Sequence, residues 1–165
     1  MKKFRRLVLA VSLLVCFAVG TLQAAEETEI PGWVETSSVV NEQGEVIEVL
    51  GIVYPWARGT YLSNGTGHLV LAGTGKVTMS GSTVAYQKVD SIKVALHLQR
   101  SKDGAKWTSV QILGPKTATN AYSVSASQTY TVTRGYYYRT YGAHTVIEGD
   151  TTESITSFTD GMWVP

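Results

Sequence analysis

The sequence predicts an all-β fold, an antiparallel sandwich of two sheets, and three observations carry that expectation. In "SIKVALHLQR" apolar residues alternate at period two: Ile92, Val94, Leu96 and Leu98 stand against Lys93, Ala95, His97 and Gln99, the pattern of a half-buried strand. Short runs rich in β-branched and aromatic residues recur between glycine, asparagine and aspartate turn signals. After the N-terminal apolar run, no window carries a helical period.

That apolar run, "LVLAVSLLVCFAVG", follows the four bases of "MKKFRR" and falls short of the ~20 residues a spanning helix needs. It reads as a helical secretory signal peptide over residues 1–24. Cleavage after Ala24 puts Leu22 at the minus-three position; cleavage after Ala25 puts Gln23 there, which suits it less. The remaining chain of about 140 residues has single-domain length. Cys16, the only cysteine, sits inside the apolar run, with Val15 where a lipid-anchoring signal wants a small residue. Removal of the signal therefore leaves no thiol, excluding disulfides, cysteine nucleophiles and thiolate metal sites. An exported domain of this kind fits a bacterial protein, secreted and either released or held at the wall. No later stretch is apolar enough for a transmembrane helix.

Charge divides the rest. Without the four signal-peptide cations, ten bases face thirteen acids, so nonspecific nucleic-acid binding loses its electrostatic motive. Residues 26–48 hold seven acids and no base. Residues 25–57 are expected to form an acidic N-terminal segment, partly disordered, ahead of a basic β domain over residues 58–165.

Within that domain "GHLVLAG" and "GKVTMSG" read as strands punctuated by glycines, followed by the strand around Ile92. "SKDG", residues 101–104, is a hairpin turn with Gly104 free to take positive φ, and "KWTSVQIL" returns beside the preceding strand. "NAYSVSAS", "TYTVT", "YYYRTYGAHTV" and "ESITSFT" complete the set. Seven or eight strands in about 110 residues, joined by short turns, give the sandwich an immunoglobulin or fibronectin type III character.

"TYTVTRGYYYRTYG" then suits a tyrosine corner, in which a tyrosine hydroxyl bonds back to the backbone of a glycine-bearing turn. Gly135 takes the corner and Tyr138 supplies the hydroxyl. Alternation sends Tyr136, Tyr138 and Thr140 to one face and Tyr137, Arg139 and Tyr141 to the other. With the first set inward, the second becomes a candidate ligand face together with His97 on the neighbouring strand. Aromatics flanking an arginine stack on sugar rings or anchor a protein. The plainer role is cross-strand pairing, at about 0.2–1 kcal/mol per pair.

Other chemistry fails on spacing. "AGTGKVT" has Val70 and Val77 where a phosphate loop needs glycine and a serine or threonine. His68, His97 and His144 lack partners at metal-ligand spacing, so no metal is expected. No Gly-x-Ser-x-Gly elbow exposes a nucleophile, and the acids cluster at the two ends. No enzyme activity and no cofactor is expected. Trp107 is expected to cover the core from a strand, with sugar stacking as its alternative, and Trp33 and Trp163 to pin the ends to the body.

The chain also resembles a family of small exported proteins of Gram-positive bacteria catalogued as a domain of unknown function. The resemblance runs from about Arg58 to Met162. It is carried by Arg58 and Gly59 with Leu62, by "GST" at residues 81–83, by Val89 and Asp90, by "LQR" at 98–100 and by Trp107. The run Tyr137, Tyr138, Arg139 with His144, and the pair Glu153 and Ser154, complete it. It implies an exported β domain and brings no activity, substrate or catalytic residue. The expected function is a noncatalytic extracellular binding module for a glycan, cell wall or protein. The alternative is a secreted antibacterial or signalling effector whose acidic leader is removed or rearranged after export.

Overall fold

The computed structural model describes residues 28–29, 32–56 and 60–165, and the expected signal peptide lies outside them. Nine strands follow: β1 (Thr28–Glu29), β2 (Gly32–Val40), β3 (Val46–Pro55), β4 (Leu62–Leu71), β5 (Lys76–Ser101), β6 (Thr108–Thr131), β7 (Tyr136–Glu148), β8 (Thr151–Phe158) and β9 (Met162–Val164). All belong to one sheet in the order β1-β8-β7-β5-β4-β3-β2, with β6 against β5 and β9 against β7. Every pairing is antiparallel except β1 with β8.

The fold is all-β, and where two sheets were expected the strands form one that curls. β5 is the reason. Its first half pairs with β4, from Val77 opposite Leu71 to Ala85 opposite Leu62. Its second half pairs with β7, from Ser91 opposite Ile147 to Ser101 opposite Tyr137. β6 follows both halves along the other edge, and its register shifts between Val84 and Val89, where Tyr86, Gln87 and Lys88 are exposed. An irregularity of this kind bends a strand and raises its twist, so the β4 and β7 arms fold toward each other.

Gly81, which looks like a turn residue in sequence, lies mid-strand. A Cβ there would stand 2.3 Å from the Thr66 carbonyl oxygen and 2.8 Å from a Leu96 methyl. Gly51 and Gly65 serve the same close approach. A Cβ on Gly51 would meet the Phe158 carbonyl oxygen at 2.0 Å, and one on Gly65 the His144 ring at 2.2 Å. Around these contacts pack Leu62, Leu69, Met79, Leu96, Tyr138 and Ile155, each no more than 2% exposed. Ile92, Val94, Leu96 and Leu98 all face this core, as their period requires.

The boundary expected at residues 57 and 58 has strands of one sheet on both sides of it. β2 and β3 pair from Gly32 opposite Pro55 to Val40 opposite Val46, and β3 continues onto β4. Val49, Gly51 and Val53 of β3 are buried, so this acidic stretch has an inner apolar face of its own. Another acid ties the entry of β4 to β8. The buried Glu153 carboxylate accepts the backbone N–H groups of Thr60, Tyr61 and Leu62 at 2.7, 3.1 and 2.7 Å.

The turn at residues 101–104 forms as its residues require. Gly104 has φ +71°, and the Asp103 carboxylate accepts the N–H groups of Lys106 and Ala105, each at 2.9 Å. Those bonds hold Asp103 at about 2, below the ordinary carboxylate range. β6 then returns with Thr108 opposite Arg100.

Candidate functional site: the outer face of β5, β7 and β8

Alternation along β7 separates two chemistries. Tyr138, Thr140, Gly142, His144 and Val146 are buried, while Tyr137, Arg139, Tyr141, Ala143 and Thr145 are half-buried on the outer face. The Tyr138 hydroxyl donates to the Thr133 carbonyl at 2.8 Å across the turn in which Gly135 takes φ +77°. The corner thereby fixes the start of β7, and with it the outward aim of its neighbours. Thr140, fully buried, donates to the His68 carbonyl at 3.0 Å, and its backbone N–H donates to Thr159 Oγ1 at 3.0 Å.

Outward residues fall into rows set by register. His97, Tyr141 and Phe158 lie side by side, Gln99 lies beside Arg139, and Tyr137 lies beside Trp163, with the buried Ser101 on the other side of Tyr137. The His97 and Tyr141 rings meet edge to face at 5.9 Å between centroids, and Tyr137 and Trp163 do so at 5.0 Å. Arg139 occupies the middle. Its guanidinium carbon lies 4.4 Å from the Trp107 ring centre and 5.7 Å from that of Phe158, and its Nε donates to Gln99 Oε1 at 2.8 Å. The structure thus brings all four expected face residues, Tyr137, Arg139, Tyr141 and His97, onto one face, with rings in the rows on either side of the arginine.

Sequence reasoning missed Gln99, Phe158 and Trp163 as parts of this face. Trp107, expected over the core with sugar stacking as its alternative, lies against Arg139, with its ring edge 2.9 Å from where a Gly161 Cβ would be. Period two in "ESITSF" and "MWV" carries the missing signal. Ile155, Ser157, Met162 and Val164 are buried, whereas Phe158 and Trp163 point out at 42% and 44% exposure. At the other end of the chain Trp33 stacks on Tyr54 at 4.8 Å within the β2–β3 pair.

A depression adjoins the ring-bearing rows at each end. One, about 350 Å³, runs past Tyr141 over Ala143, Thr145, Ser154 and Thr156, where short side chains leave the sheet low. The other, about 260 Å³, is walled by Tyr137 and Trp163 against Val46, Leu71 and Pro165. Tyr137 and Tyr141 are four residues apart, about 13 Å along a strand at ~3.3 Å per residue.

On β5, β7 and β8 the charge is one-sided. Their register positions on this face include Lys93, His97 and Arg139 and no carboxylate, while Glu29 of β1 stands beside Ser154 in the Lys93 row and Glu45 lines the depression beside Tyr137. Asp103 and Asp160 lie in the bordering turns, yet among the described residues the only ion pair joins His68 and Glu48 on the opposite arm. Partial burial pulls the Arg139 guanidinium below its ordinary value while Tyr141 acts in the other direction; arginine stays charged regardless.

Two histidine constellations lie elsewhere. His144 is closed into the core: Thr83 Oγ1 gives its single hydrogen to the Lys93 carbonyl at 2.8 Å, so at 2.9 Å it accepts from His144 Nδ1. Nε2 then accepts from the Ser157 hydroxyl at 2.8 Å. All three side chains are fully buried, and burial pushes His144 down to about 4, keeping it neutral. His68 lies on the outer side of β4, with Nε2 2.8 Å from Glu48 Oε1 and Nδ1 3.3 Å from Ser80 Oγ. Ser80 is held mid-ladder between His68 and Ser127, where flanking amides are spent on strand pairing rather than on a developing oxyanion. Among the described residues no three His, Cys, Asp or Glu side chains cluster as a metal site, and no helix is long and apolar enough to cross a membrane.

Compared with known families, residues 26–161 match a family of unknown function, DUF6147. No curated protein matches the chain.

Proposed function

The chain belongs to this family of unknown function, and from that premise we propose that it is a noncatalytic binding module that takes a saccharide chain on the outer face of β5, β7 and β8. The observation that carries the reading is the set of rings on either side of Arg139, with a depression at each end. Stacked aromatics offer flat apolar surface to the axial C–H faces of sugar rings and polar edges to their hydroxyls. The span from Tyr141 to Tyr137 suits a short oligosaccharide. In this reading the protein is exported through its basic and apolar N-terminal stretch and works outside the cell. Its ligand is a component of a wall or glycan.

The test is retention of the purified protein on insoluble cell wall and on a panel of polysaccharides, beside a Tyr137→Ala, Tyr141→Ala double variant whose folding has been verified. Retention by the wild type and its loss in the variant support the reading. Equal retention of the two proteins, or retention of neither, overturns it.

A further inference from the structure

Arg139 is held more carefully than a sugar-stacking face requires. A surface arginine ordinarily swings in water or meets a nearby carboxylate, whereas this one has Trp107 over its guanidinium and Gln99 on its Nε hydrogen. Those contacts fix its orientation and shield it from water. They also leave the Nη hydrogens as the side of the fork not engaged by Gln99, and no acid of the described chain is within ion-pair distance. A fixed, partly desolvated and unneutralised guanidinium strengthens any charge-assisted bond made to it. Lys93 adds a second positive charge on the same face, where β5, β7 and β8 place no carboxylate; Glu29 of β1 and Glu45 stand at its two margins.

Resting on the binding-module reading, we infer that the ligand is an acidic saccharide whose carboxylate, as in a uronic acid, is received by Arg139 between the flanking sugar-stacking rings. The planar carboxylate matches the planar fork through two parallel N–H···O bonds. Trp107 occupies the space over the guanidinium, so the ligand approaches in its plane, which suits a flat carboxylate better than a tetrahedral phosphate. Tyr141 on one side and Tyr137 with Trp163 on the other receive the neighbouring sugar rings.

The experiment compares retention on immobilised polygalacturonate, on the same polymer after methyl esterification, on a neutral glucan and on a phosphate-bearing polysaccharide. Esterification changes the ligand and leaves the protein untouched, so misfolding cannot imitate its effect. The expected result is about tenfold to hundredfold weaker binding to the ester than to the acid, the range for a hydrogen bond to a charged group. A similar loss is expected for Arg139→Gln on the acid polymer, with thermal unfolding confirming that the variant is folded. Arg139→Lys should recover only part, because a point charge lacks the fork. Equal binding of acid and ester overturns the inference, as does preference for the phosphate polymer. Binding to neutral glucan that is lost in the tyrosine double variant but indifferent to Arg139→Gln removes the carboxylate and leaves the saccharide reading standing. Retention on none of the four polymers overturns the inference, and absence of retention on insoluble cell wall as well overturns the saccharide reading with it.

Discussion

The two faces of β7 carry similar residue types and treat them in opposite ways. Inward, Tyr138, Thr140 and His144 are buried and each polar atom has its partner: Thr133, His68, Thr83 and Ser157 take them up. Among the described residues no buried side-chain nitrogen or oxygen lacks a hydrogen bond. Outward, Tyr137, Arg139 and Tyr141 touch one another's neighbours through ring faces and edges, and among the described residues no carboxylate pairs with the arginine. Desolvation explains the contrast, since an unpaired polar group costs little at the surface and about 1–3 kcal/mol in the core. Inner polarity is spent on the fold, and outer polarity remains for a ligand.

Adding a single carbon should already separate inside from outside by a large effect. On the inside, Gly51→Ala drives a Cβ to 2.0 Å from the Phe158 carbonyl oxygen. That atom is backbone, so the arms of the curled sheet must part. Urea unfolding should register a loss of about 3 kcal/mol or more, the upper range of overpacking. On the outside, Ala143→Ser in the floor of the depression should change stability by no more than about 0.5 kcal/mol. A Gly51→Ala protein as stable as the wild type would mean that the two arms do not meet as described.

Acid provides the second separation. His144 is held neutral at about 4 in the fold, against the ordinary 6.5 in the unfolded chain. Above about 6.5 neither state gains a proton there. As pH falls through the window from about 6.5 to 4, the unfolded chain binds a proton that the folded one refuses, and stability declines. Below the folded value the loss levels off at about 3 kcal/mol, from 1.36 kcal/mol per pKa unit. Chemical denaturation at a series of pH values should show this slope in the wild type, and it should vanish in His144→Gln, which starts from a lower stability. A slope that survives the substitution would assign the acid sensitivity to other groups.

What the sequence disclosed of this contrast, and what it hid, follows from how local each signal is. Period two around Ile92 and the turn at residues 101–104 are local, and both are found where expected. The all-β class follows from them. The curl is not local. It depends on β5 serving two neighbours in succession, and on Gly51, Gly65 and Gly81 standing where the opposite arm presses close. A mid-strand glycine and a turn glycine look alike in one sequence, so Gly81 suggested an end where the strand continues. The acidic run ahead of residue 57 hid the alternation of Val49, Gly51 and Val53 in the same way, because charge drew attention from period. Of the outer face, the four residues in or beside "YYYRTY" were legible. Trp107, Phe158 and Trp163 join them only through pairing across distant strands.

The smallest expected effect is the most telling for function. Tyr137 and Tyr141 make edge-to-face contacts with Trp163 and His97 on the outer surface, and such cross-strand pairs contribute about 0.2–1 kcal/mol. Tyr138 fills the core at 1% exposure and closes the corner through its hydroxyl, so its removal combines a cavity with a lost hydrogen bond. Tyr138→Ala should cost about 3–5 kcal/mol, the range for large aromatic truncations, and Tyr137→Ala or Tyr141→Ala no more than about 1 kcal/mol each. Parallel urea unfolding of the three variants reads the difference directly. If the outer substitutions cost as much as the inner one, the rings are there to hold the sheet and the ligand platform loses its motive. If they are nearly silent, three tyrosines within five residues have two different employments, and stability alone does not account for the outer pair.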